Sequence, residues 1–184
     1  MRDSSKEIYE WLNTIEGYSF SEIKPVNSDA SFRNYYRVFD DEKGPFIVMD
    51  SDPKLENNEK FIGITNLLKQ ISMPIPSIHQ IDDSGRYFLI SDLGTKCLFD
   101  HRNETYFQDF YTKAIELLVL MQINGDSLKN QLPQYDDALL QLEMELFKEW
   151  FCFYELGLNI KQIEKIDFNP LFSQLSQRAS QQDK

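Results

Sequence analysis

Only a few strings in this chain join residue types and spacings that could carry chemistry. Asn27-Ser28-Asp29-Ala30-Ser31-Phe32-Arg33 combines small side chains at Ser28, Ala30 and Ser31 with hydroxyls, so backbone N–H groups can approach an anion and the hydroxyls can add donors. The plainer reading of that string is a polar turn leading into a strand, with Arg33 solvated. Ile90-Ser91-Asp92-Leu93-Gly94 lies where strand-like sequence gives way to helix-like sequence, a frequent place for a ligand crevice. Its backbone could receive an adenine edge; alternatively Asp92 caps and Gly94 bends the chain. The acidic set Asp136, Asp137, Glu143, Glu145 and Glu149 could bind a polar substrate or a cation, or form a solvated helix face with Asp136 or Asp137 favouring the first turn. Glu145 and Glu149 form a like-charged i,i+4 pair, so the set is not arranged for local helix pairing alone.

Other signatures are missing or incomplete. The seven glycines are dispersed and make neither G-x-G-x-x-G nor a P-loop. His101-Arg102-Asn103 resembles H-R-D only superficially, because asparagine cannot serve as the carboxylate that orients a hydroxyl. Asp167-Phe168-Asn169 lacks the glycine of the metal-binding D-F-G. His79 lies in an apolar strand and reads as a structural residue. No Ser/His/Asp set or paired-carboxylate signature can be asserted from spacing. Cys97 and Cys152 are far apart and have no ligand-spaced partners, which argues against a zinc knuckle or a disulfide framework and for a cytoplasmic protein.

The elements that must position these strings follow from periodicity. Ile8, Trp11, Leu12 and Ile15 predict a helix over 4–15 that Gly17 ends. A weak strand at about 20–26 and stronger ones over 31–39 and 45–49 come next, the last two joined by a polar turn containing Gly44. Phe61, Ile64, Leu67, Leu68 and Ile71 form one stripe of a helix at 56–71, with Glu56, Asn57, Glu59, Lys60 and Lys69 toward water and Met73-Pro74-Ile75-Pro76 as its stop. Strands at 77–81 and 86–90 flank Asp82-Asp83-Ser84-Gly85 as a second hairpin. This order suits an antiparallel sheet with one packed helix, an α+β arrangement, and not a Rossmann domain. Helical periodicity then takes over at 105–122 and 136–156. The second of these helices has so wide an apolar arc that it needs substantial cover. A weaker helix at 159–166 and a polar, frayed tail from Ser173 are expected beyond it.

Composition bounds the partners. Hydrophobic residues make up 41% and aromatics 14% of the 184, enough for an ordered body. A net charge of −11 would repel a phosphate backbone, so broad nucleic-acid binding is not expected. No run reaches the 18 or more uncharged apolar residues of a membrane span, and the first residues lack a secretory signal. The change of period around Asp92 to Phe99 divides the chain into about 1–94 and 95–184.

The sequence resembles the aminoglycoside phosphotransferase-like family, and within it the bacterial amino-sugar kinases. The resemblance is carried by Ser28-Asp29-Ala30-Ser31-Phe32-Arg33-Asn34-Tyr35-Tyr36-Arg37, Ile47-Val48-Met49-Asp50, Phe88-Leu89-Ile90-Ser91-Asp92-Leu93-Gly94 and the run from Leu132 through Asp136 and Glu143 to Phe151, in that order. It implies a protein-kinase-like fold: a nucleotide-binding N-lobe at 1–94 and an incomplete helical C-lobe at 95–184. Ser28, Ala30 and Ser31 would lie over the phosphates of ATP, Ile90, Ser91 and Asp92 beside adenine, and Tyr135, Asp136 and Glu143 in the sugar-binding lobe. ATP and Mg²⁺ are expected for the complete enzyme. Met49 stands where kinases commonly carry a lysine, and neither Glu56 nor Glu59 is assigned an ion-pair role. No H-x-D loop is found, so no catalytic or metal-binding residue is assigned; the chain is expected to be truncated before that loop and inactive or nearly so by itself. The rival expectation is a noncatalytic interaction protein that uses its uncovered apolar C-lobe face to dimerise or bind a partner.

Overall fold

The computed structural model describes residues 4–26, 31–133 and 135–181. Helix α1 (Ser5–Leu12) places Ile8 and Leu12 on one face, and both are buried together with Ile15 from the turn that follows. Strands β1 (Phe20–Val26), β2 (Asn34–Asp40) and β3 (Gly44–Asp50) run antiparallel in sequence. The β2–β3 turn is held by the buried Asp40 carboxylate, which accepts the backbone N–H groups of Glu42 and Lys43 and, from the entry to β1, that of Ser19. Gly44 adopts φ +85° there, a conformation that costs glycine least.

Helix α2 (Asn58–Gln70) separates this meander from β4 (Ile78–Ile81) and β5 (Tyr87–Ser91). The order across the sheet is β1-β2-β3-β5-β4, so the last hairpin folds back to lay β5 antiparallel beside β3. The expected α+β class and the expected succession of strands and helix are both found. Alternation of side chains splits the sheet into two apolar faces. Val38, Phe46, Val48, Tyr87 and Leu89 pack with α1. Met49, Phe88 and Ile90, with Tyr35 and Ile47, meet Phe61 and Ile62 of α2.

Polar contacts fix α2 against the second face. Asn57 caps the helix by accepting the Lys60 N–H at 2.8 Å. Asn58 is buried; its amide donates to the carbonyls of Ser51 and Gly85, each at 2.8 Å, and its oxygen accepts the Ser51 hydroxyl. One side chain thus ties the start of α2 to the end of β3 and to the β4–β5 turn. Asp50, buried at the end of β3, accepts two bonds from Arg86 at 2.6 and 3.1 Å. His79 is more exposed than an apolar-strand histidine should be: its Nε2 pairs with the Ser91 hydroxyl at 2.9 Å and its ring meets Phe46 edge-on.

The chain divides into two compact units, Met1–Leu128 and Lys129–Lys184. In the first, a short 3₁₀ turn at Leu98–His101 precedes α3 (Phe107–Gly125), none of whose side chains is buried. In the second, α4 (Asp137–Leu146) continues as a π-helical stretch over Phe147–Glu155, followed by the single turn α5 (Ile160–Ile163) and α6 (Asn169–Ser180). Two expectations are corrected. The helix at 136–156 is not one regular α-helix, because its winding loosens at Phe147. The tail is not frayed through Ser180: α6 buries Phe172 and Ser176, and Ser176 accepts the Gln141 amide at 2.9 Å and donates to Asp137. Cys97 is exposed and Cys152 buried, and both are free thiols.

Candidate functional site

The sheet face that meets α2 is only partly covered by it, and the uncovered remainder is a cleft of about 610 Å³, within the usual range for a small-molecule site. Its floor is apolar because the register aligns Tyr35 with Met49 and Ile47 with Ile90, setting Tyr35, Met49 and Ile90 on one face. Phe61, Ile64 and Leu68 of α2 form the wall, and Ile75 and Pro76 close one end. Of the stripe anticipated for α2, Phe61, Ile64 and Leu68 line the cleft, and Phe61 also packs on the buried sheet residues; Ile64 is still 36% exposed, whereas Thr65 beside it is buried.

The other end of the cleft carries charge: Arg33, Glu56 and Lys60. Arg33 is no solvated turn residue. Its Nη2 pairs with Glu56 at 3.2 Å, its Nε donates to the Ser51 hydroxyl at 3.3 Å, and its guanidinium lies 5.3 Å from the centroid of the Phe61 ring. Its backbone N–H donates to Ser31 Oγ at 3.1 Å. Glu56, to which the sequence assigns no ion-pair role, is thus paired with Arg33.

The strand-exit string divides its labour. Ile90 is buried and faces the cleft. The Ser91 hydroxyl accepts the Ser77 N–H at 3.2 Å and pairs with His79, so it is spent on the sheet edge. Arg37 grips Asp92 through both carboxylate oxygens at 2.6 and 3.1 Å and also donates to the Gly94 carbonyl at 3.0 Å. Asp92 additionally accepts the Gly94 N–H at 2.8 Å. The Arg37 bonds, aided by that N–H, hold the Asp92 carboxyl below the usual carboxylate range against the opposing effect of burial. Ser31 is exposed beside Arg33, while Ser28 and Ala30 lie outside the described residues.

In the second unit, Asp136 caps α4 by accepting the Leu139 N–H at 3.0 Å. The Tyr135 hydroxyl donates to Glu143, a bond that raises the Tyr135 pKa. Lys148 pairs with Glu145 at 2.7 Å and sits over the Phe168 and Phe172 rings. His101 and Asp167 serve local structure: His101 Nδ1 pairs with Glu104 at 2.7 Å, and Asp167 accepts the Asn169 N–H as α6 begins. Among the described residues, no group of three or more His, Cys, Asp and Glu comes together as a metal site would require.

An antiparallel five-stranded sheet with a helix packed on one face and helices following it is consistent with a kinase-like α+β fold. Residues 22–142 match the profile of the phosphotransferase enzyme family, and the chain belongs to that family. It is 36% identical over 143 residues to the N-acetylmuramate/N-acetylglucosamine kinase of Pseudomonas putida, covering 78% of this chain and 41% of that protein. The protein of the same name from Pseudomonas aeruginosa is 30% identical over 141 residues, covering 77% of this chain and 41% of that one. That from Neisseria meningitidis is 28% identical over 158 residues, covering 83% and 46%. The chain spans about two fifths of the length of the first two of these curated relatives.

Proposed function

We propose that this chain supplies the ATP-binding lobe of a cytoplasmic kinase that transfers a phosphoryl group to a hydroxyl of an amino sugar. The observation that carries the reading is the cleft between the sheet and α2: its apolar floor and wall suit a nucleobase and ribose, and its cations at one end suit phosphates. Family membership and the names of the relatives support the reaction class and the acceptor class. The lobe ends at about residue 94, the backbone of Ile90, Ser91 and Asp92 meets adenine, and the loop containing Ser28, Ala30 and Ser31 covers the phosphates. Tyr135, Asp136 and Glu143 belong to the acceptor side. When bound, Mg²⁺ would supply positive charge to offset that of the phosphates. Its ligands are not assigned to this chain: neither His79 nor His101 has an aspartate two residues on, as an H-x-D loop requires. We therefore expect these residues to bind nucleotide weakly and to transfer nothing by themselves.

Calorimetric titration with adenosine and with ATP tests the reading. Both are expected to bind, and Ile64→Trp, which fills the cleft from a part-exposed position, is expected to abolish binding of both while the thermal unfolding transition is kept. Undiminished binding by the Trp variant would move the site elsewhere.

A second reading has its own observation. Leu142, Leu146, Trp150 and Tyr154 are all exposed along α4 and the π-helical stretch. Such an apolar run suits self-association or a protein partner, and mass measurement in solution across a concentration series separates the two readings.

A further inference from the structure

We infer that Arg33 is the residue that meets the nucleotide phosphates, taking the part that a third-strand lysine plays in protein kinases. The inference rests on the nucleotide reading given above and deepens it. Met49, in the middle of β3, reaches the cleft but is apolar and fully buried, so that strand offers no charge. Arg33 and Lys60 are the cations that line the cleft among the described residues. They differ in how they are held. The Lys60 residue is exposed, and a lysine head on its flexible stem is a mobile point charge. Arg33 is fixed on three sides, by Glu56, by the Ser51 hydroxyl and by the Phe61 ring, and its side chain is only 22% exposed.

Those contacts use Nη2 and Nε and leave Nη1 without a partner among the described residues. A guanidinium with free N–H groups in a fixed plane is suited to phosphate oxygens, and a cation already in place loses little freedom when the anion arrives. The Glu56 partner does not argue against this role. In protein kinases the phosphate-binding lysine is itself paired to a helix glutamate, which holds it in position. Here the same pairing recurs with both members moved: the cation lies just before β2, and the carboxylate lies two residues before α2. Ser51 completes the support, because the hydroxyl that accepts from Arg33 also donates to Asn58, at the buried joint between β3 and α2.

The test is titration of adenosine, AMP, ADP and ATP into the unsubstituted chain, Arg33→Met, Arg33→Lys and the double variant Arg33→Met/Glu56→Gln. Arg33→Met is expected to weaken ATP about tenfold or more while adenosine changes less than about twofold, as loss of a charge-assisted phosphate contact requires. Arg33→Lys should keep part of the preference for ATP over adenosine, and it carries the test if the methionine variant lacks a cooperative unfolding transition. The double variant decides between contact and indirect charge effects. With Arg33 gone, an unpaired Glu56 would repel phosphates by itself, and removing it as well abolishes that repulsion. A double variant that stays weak for ATP supports direct contact. Recovery of full ATP affinity in the double variant, or equal losses for adenosine and ATP in Arg33→Met, overturns the role of Arg33 and leaves the nucleotide reading standing. Failure of the unsubstituted chain to bind either adenosine or ATP overturns the nucleotide reading and this inference with it.

Discussion

Asp92 lies one residue beyond β5, with a side chain only 4% exposed and both oxygens engaged by Arg37. Its folded pKa lies below the ordinary carboxylate value of about 3.9. The clasp is therefore fully stabilising above that ordinary value and is lost as pH falls through the lowered folded value. Asp92→Asn is expected to cost roughly 1–3 kcal/mol at neutral pH, with the gap to the unsubstituted chain closing below about pH 4. Urea unfolding at pH 7 and pH 3 reads this directly, and a gap unchanged at the lower pH would mean that the charge is not what matters. At this scale the sequence is only partly legible. The strand exit at Ile90 is legible because it stands next to a change of period, which is a local signal, and Ile90 lies in β5 and lines the cleft. Arg33 reads locally as a solvated turn residue, yet it shares the parity of Tyr35 two residues on, and period-two alternation is the signal that puts it on the cleft face. Glu56 carried no such signal, since its partner lies in a different element and only the tertiary fold brings them together.

The sheet was legible element by element because its hairpins are marked by Gly44 and by Asp82-Asp83-Ser84-Gly85, and because its strands are aromatic or β-branched between those marks. α6 was not, for a physical reason: its apolar content is thin, and glutamine and serine fill its outer face. What orders it is packing on α4 and on Phe168 just before it. Phe172 is 4% exposed and its ring stacks on Phe168, while Ser176 joins Asp137 and Gln141. Phe172→Ala should remove that anchor at a cost of roughly 3 kcal/mol or more, enough to release α6 from a unit this small. Limited proteolysis is expected to cut the variant rapidly between residues 164 and 180 while cleavage in the sheet stays slow. Equal resistance of both chains would show that α6 stands without its aromatic contact. The loosened winding at Phe147 was likewise invisible, since a π-helical stretch keeps neighbours four apart close enough for Phe147 and Phe151 to stack at 5.1 Å, as an α-helix also does.

For the molecule as a whole, a net charge of −11 sets cations apart as scarce and local features, which sharpens the meaning of the pair that lines the cleft. Among the described residues, no helix is long and apolar enough to cross a membrane. We expect ATP hydrolysis or sugar phosphorylation by these 184 residues to stay at the level of a protein-free control in a coupled ADP assay, and substantial turnover by pure material would require a catalytic group not yet recognised in the sequence. The Arg37 clasp bears on the whole chain in a further way. Gly94, with φ +97°, looks like a free swivel for everything that follows the sheet, yet its N–H is held by Asp92 and its carbonyl by Arg37. The glycine is thus fastened to β2 through Arg37 and to the residue that follows β5. Turning the backbone at Gly94 would therefore have to break the Asp92 and Arg37 bonds first, whatever freedom glycine itself has.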